Sequence, residues 1–69
     1  MTVDEARNVI LAASVADSGC GHCQATVIEA AVHSMPDVDW EAAAETLPDN
    51  LELEREDAVR MVEFARGSV

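Results

Sequence analysis

Apolar residues recur along the chain at helical spacing. Val3, Ala6, Ile10 and Ala13 form one stripe, and Val9, Leu11 and Val15 widen it. Thr2 and Glu5 stand three apart just ahead of it, as in a capping box, where the hydroxyl takes a free backbone N–H and the carboxylate reaches back. Asp4 and Glu5 fall in the first turn, where the helix dipole favours negative charge. The spacing predicts a helix from about Val3 to Ala16. Asp17-Ser18-Gly19 is turn chemistry, because Asp and Ser cap locally and Gly tolerates positive φ after a helix. A second helix is expected from near Cys20 to about Ser34, burying Val27, Ile28, Ala31, Val32 and Met35, and Pro36 ends it, since the residue before a proline avoids helical angles.

Asp37 or Asp39 is the expected cap of a short third helix, Val38 to Thr46, with Trp40 and Ala43 or Ala44 facing inward. Pro48-Asp49-Asn50 reads as a turn. The last helix is expected from Glu52 or Glu54 to Arg66. It would bury Ala58, Val59, Val62 and Ala65, with Met61 and Phe64 alongside and Gly67 as the residue after the helix. Its acids lie at the N-terminal end and Arg66 at the other, as the dipole prefers. No strand-like alternation occurs. The fold class expected is all-α, a bundle of about four helices within one domain spanning residues 1–69.

Length and composition qualify this picture. A chain of 69 residues buries only about 60% of the surface its unfolded form exposes. Small domains offset that with a disulfide, a metal or oligomerisation. Hydrophobic residues make up 49% of the chain and aromatics 3%, which excludes disorder and makes the core aliphatic and alanine-rich. The charge is 14 acidic against 4 basic residues, net −10, and every basic residue is an arginine. A field of that sign repels phosphates, so direct nucleic-acid binding is not expected. The acidity could serve solubility, dock a basic protein partner, or mimic phosphate, as in small phage-encoded inhibitors of nuclease defence systems. No apolar run reaches the 18 or so residues of a membrane span. The N-terminus also lacks the basic start and apolar stretch of a secretory signal, so a cytoplasmic location is expected.

One motif has chemical potential, Cys20-Gly21-His22-Cys23. Cysteines at i and i+3 share a helix face and can close a small disulfide ring. In a cytoplasmic setting such a pair is redox-active or metal-binding more often than a structural staple. Cys20 falls at the expected start of the second helix, where unpaired N–H groups and the positive dipole end stabilise a thiolate. Cys20 is then the attacking thiol, Cys23 the resolving one, and His22 a local modifier of their acidity. The competing chemistry is zinc, with Cys20, Cys23 and His33 as ligands and His22 as a fourth. No second paired half-site supports it, and His33 lies ten residues beyond Cys23. The two cysteines could also be packing residues only. No cofactor is expected, since no nucleotide fingerprint, phosphate-cradling loop or Ser-His-Asp set is present. The Gly-His pair is similar to that of protein disulfide isomerases, but a thioredoxin domain needs a longer, alternating β/α chain.

The run from Arg7 through Asp17-Ser18-Gly19-Cys20-Gly21-His22-Cys23 resembles the carboxymuconolactone decarboxylase and alkylhydroperoxidase-D-like family, in which an apolar helix leads into Gly-Cys-x-x-Cys at the start of a second helix. Ala30-Ala31, Val38-Asp39-Trp40-Glu41 and Glu54-Arg55-Glu56-Asp57-Ala58-Val59 extend the resemblance over most of the chain. It implies a helical fold that assembles into homo-oligomers. Members with peroxidase activity also carry a Glu on the preceding helix and a His four residues after the second Cys, positions that fall here on Asn8 and Val27. The proton relay is missing, so only Cys20 and Cys23 transfer, without the peroxidase activity.

Overall fold

A computed structural model of the chain describes residues 1–16, 20–48 and 53–67. They form four helices and, among the described residues, no strand: α1 (Val3–Ala16), α2 (Gly21–Ser34), α3 (Trp40–Glu45) and α4 (Arg55–Gly67). This is the expected all-α bundle. The Asp17-Ser18-Gly19 turn, the Asp49-Asn50 part of the second turn and Glu52 lie outside the described residues.

The caps explain where the helices begin. The Thr2 amide donates to Glu5 Oε1 at 3.0 Å, and the Glu5 amide donates to Thr2 Oγ1 at 3.2 Å. That is the reciprocal capping box. The Thr2 amide bond holds the Glu5 carboxyl below its usual range. α3 is shorter at both ends than Val38–Thr46. The Asp39 carboxylate accepts the Ala42 amide at 3.1 Å, so Asp39 is the N-cap and Val38 precedes the helix. Thr46 is the C-cap, its hydroxyl donating back to the Ala43 carbonyl at 2.9 Å. Gly67 is the last residue of α4 rather than the residue after it.

α4 packs most extensively on α2 and α3, and α1 packs on α3 and more lightly on α2. Trp40 is fully buried, in one cluster with Ala6, Ile10, Ile28, Val32, Ala43, Ala44, Leu47, Leu53, Ala58, Val62 and Ala65. Its indole N–H donates to the Met35 carbonyl at 2.9 Å, so the one polar atom of the largest core side chain is satisfied. The Cα radius of gyration of 10.5 Å is close to the roughly 11 Å of a compact chain of this length. Val15 and Phe64, expected to widen or flank the apolar stripes, are 75% and 68% exposed.

Arg66 joins the ends of three elements. Its guanidinium donates to both Glu41 carboxylate oxygens at 2.9 and 3.0 Å, to the Pro36 carbonyl at 2.6 Å and to the Val38 carbonyl at 2.8 Å. Arg55 clasps the other end of α3 through two N–H groups on the Leu47 carbonyl, at 3.0 and 2.8 Å. Together the two arginines hold α3, and with it Trp40, against α4.

The Arg66 hydrogen bonds hold the Glu41 carboxyl below the usual carboxylate range, with burial opposing them. A carboxyl lowered on folding adds stability above its unfolded pKa of about 4.3, and that stability is lost as pH falls through the lower folded value. Glu41→Gln should therefore destabilise the protein at pH 7 by less than about 1 kcal/mol, since the pair is partly exposed. In urea unfolding the gap to wild type should narrow as pH falls below about 4.3. A gap independent of pH would show that the ion pair contributes nothing.

Candidate functional site

The chemistry sits at the start of α2. Cys20 is the N-cap, with φ −121° and ψ 91°, and its Sγ accepts the Cys23 amide at 3.2 Å. Its carbonyl accepts the Gln24 amide at 3.1 Å, so the residue is both the cap and the first rung of the helix. A sulfur thus takes the place usually held by a Ser or Asp oxygen. Cys20 and Cys23 are joined as a disulfide, with Cα atoms 5.3 Å apart, and both are half-buried.

The local electrostatics distinguish this helix from the other three. α1, α3 and α4 each carry acidic residues in the first turn, namely Asp4 and Glu5, Glu41, and Glu56 with Asp57. α2 carries none. In a chain of net charge −10, no carboxylate among the described residues falls in the first turn of α2, and a sulfur stands at its start. Negative charge placed there is stabilised by the dipole and by N–H donors.

Two buried polar residues hold α2 against the rest of the fold. Ser14 and Gln24 are 2% and 4% exposed. The Gln24 side chain donates to the Ser14 carbonyl at 3.5 Å, a long contact, and the Ser14 hydroxyl accepts the Leu53 amide at 3.3 Å. This ties the end of α1, the first turn of α2 and the approach to α4 together next to Cys23. Sequence reasoning passed over both residues because they are polar. The signal was present in the spacing, since Ser14 stands four after Ile10 and Gln24 four before Ile28, on the buried face of each helix.

The remaining candidate residues are separated from the sulfurs to different degrees. His22 is exposed, and among the described residues its ring makes no hydrogen bond to either sulfur. It lines one end of a groove of about 380 Å³ between α2 and α4, with Ala25, Thr26, Glu29, Arg60, Met61 and Phe64. His33 is at the far end of α2, and its Nε2 lies 2.9 Å from the Ala65 carbonyl. Ten residues of helix separate it from Cys23, about 15 Å, so the zinc set of Cys20, Cys23 and His33 is not assembled within the chain. Among the described residues no cluster of three or more His, Cys, Asp or Glu could hold a metal ion. Asn8 and Val27, at the family's relay positions, are both exposed, and neither side chain moves a proton at neutral pH.

No protein-family model, curated protein or solved structure matches this chain. Among the described residues no helix is long and apolar enough to cross a membrane.

The capping role of Cys20 can be tested separately from any redox chemistry. In a Cys23→Ser background, Cys20→Ser should keep the cap, and Cys20→Ala should lose about 1 kcal/mol relative to it. Urea unfolding of the two variants measures the difference. Equal stabilities would show that the Sγ contact with the Cys23 amide carries no capping energy.

Proposed function

We propose that this protein is a small helical Cys-x-x-Cys protein that cycles between dithiol and disulfide, in thiol–disulfide exchange or redox sensing. The observation that carries the reading is the place of the Cys20 sulfur, on the N-terminus of the one helix with no carboxylate in its first turn. In the reducing direction, Cys20 thiolate attacks one sulfur of a substrate disulfide. A mixed disulfide forms and the other substrate sulfur leaves as a thiolate. Cys23 thiolate then attacks Cys20 Sγ, closing the Cys20–Cys23 disulfide and releasing the second substrate thiolate. Two electrons pass from the Cys20–Cys23 pair to the substrate, and the two protons that the cysteine thiols give up reach the substrate thiolates through water. The opposite direction runs the same steps in reverse.

His22 belongs to this reading as a neighbouring imidazole whose protonation adds positive character beside the sulfurs. The cytoplasm is the matching compartment, because a reducing pool there returns the disulfide to the dithiol. The resemblance to the carboxymuconolactone decarboxylase type enters as a degenerate relative that keeps the cysteine pair and lacks the relay. The net charge enters as partner selection. The described carboxylates occur on all four helices, which suits a general electrostatic preference for basic proteins better than a localised phosphate mimic.

Alkylation of reduced Cys23→Ser protein across pH tests the assignment of Cys20 as the nucleophile. A reactivity midpoint well below the free-thiol value of about 8.5 is expected. A midpoint at or above that value would remove Cys20 from the role.

A further inference from the structure

The groove between α2 and α4 shares its α2 wall with the Cys-Gly-His-Cys turn. His22, Thr26 and Glu29 line it at i, i+4 and i+7, and Met61 and Phe64 form the apolar side. Phe64 is the only phenylalanine of the chain and is 68% exposed. Nothing in the core requires it there. Arg60, the groove's one cation, lies 3.5 Å from Asp57 and 4.0 Å from Glu56 on its own helix, so its charge is met locally. Glu29 is half-buried and, among the described residues, makes no ion pair. With His22 counted as neutral, as in the net charge of −10, the uncompensated charge of the groove is therefore negative, beside an exposed aromatic face. Those two features together suit a cationic side chain with a long apolar stem, which can cover an apolar surface while its head meets a carboxylate and an aromatic ring.

We propose that this groove receives an arginine or lysine side chain of a basic substrate protein, its cation on Glu29 and its stem on Met61 and Phe64, and so presents a nearby substrate cysteine to Cys20–Cys23. The proposal rests on the thiol-exchange reading and names its substrate class. Along α2, Glu29 lies nine residues beyond Cys20, about 14 Å at 1.5 Å per residue, a span of about four extended residues. The substrate cation is thus placed about four residues from the substrate cysteine. The net charge of −10 draws the same class of partner at long range, and salt weakens it.

A pair of peptides separates the two readings. One has the pattern Arg-x-x-x-Cys-x-x-x-Arg, and its control has Gln at both Arg positions. With Ser in place of Cys, the Arg peptide should shift the amide NMR signals of Glu29, Met61 and Phe64, and Glu29→Gln should weaken its binding about tenfold. With Cys present, the oxidised wild-type protein should react with the Arg peptide several-fold faster than with the control, and added salt should erase the advantage. Equal reaction rates for the two peptides would overturn the groove proposal and leave the exchange reading standing. Binding at Glu29 with no exchange by either peptide would overturn the exchange reading and the substrate role together, and keep the groove only as a docking site. Failure of the Ser peptide to bind there would overturn the proposal directly.

Discussion

The fold depends on burying Trp40 among small side chains. Ala6, Ala43, Ala44, Ala58 and Ala65 share its cluster and are fully buried. Small side chains let helices approach closely, and a single indole fills the space that remains between them. In a chain of 69 residues a total stability of roughly 3–10 kcal/mol is expected, and truncating a buried Trp costs about 3–5 kcal/mol. One side chain therefore accounts for a large share of what holds the helices together. It is carried by a six-residue helix, too short to be stable by itself. The bonds that fix that helix follow from this need: the Asp39 cap, the Trp40 N–H on Met35, Arg55 on Leu47 and Arg66 on Glu41, Pro36 and Val38.

The site inherits its geometry from the same packing. α2 is held along its length by Ile28 and Val32 in the core, at its start by Gln24 on Ser14, and at its end by His33 against Ala65. A helix fixed in that way keeps its N-terminus in one place, so the sulfur capping it meets the same N–H donor and the same dipole throughout. The contrast with the other helices is chemical. Three of them meet their positive ends with carboxylates, and the fourth with a cysteine. In so acidic a chain that difference is the local feature on which the proposed exchange chemistry rests.

Much of the fold was legible in the sequence because its signals are local. The stripe from Val3 to Ala13 and the Thr2/Glu5 box place α1, and Pro36 sets the end of α2. Of the two caps that the sequence offered for α3, Asp39 is the one used, and the limits moved by a residue or two because Asp39 and Thr46 flank the helix as its caps. Periodicity was less informative about which face each apolar residue takes. Val15 and Phe64 fit their stripes, yet both face outward, because with only four short helices there is no further layer to cover them. Ser14 and Gln24 were missed for the opposite reason, being polar residues on buried faces whose partners, Leu53 and Ser14, lie 39 and 10 residues away. The motif itself was plain in the sequence. That Glu29, Met61 and Phe64 share a groove with His22 was not, because it depends on how α2 and α4 pack.

The claim that Cys20 and Cys23 work as an exchange pair is tested most directly by the reduction potential of their disulfide, measured by equilibrium against glutathione or dithiothreitol. Stabilisation of the Cys20 thiolate favours the reduced form. A potential within the range of thiol–disulfide oxidoreductases, about −270 to −120 mV, is therefore expected. A value below about −300 mV, typical of structural disulfides, would contradict it.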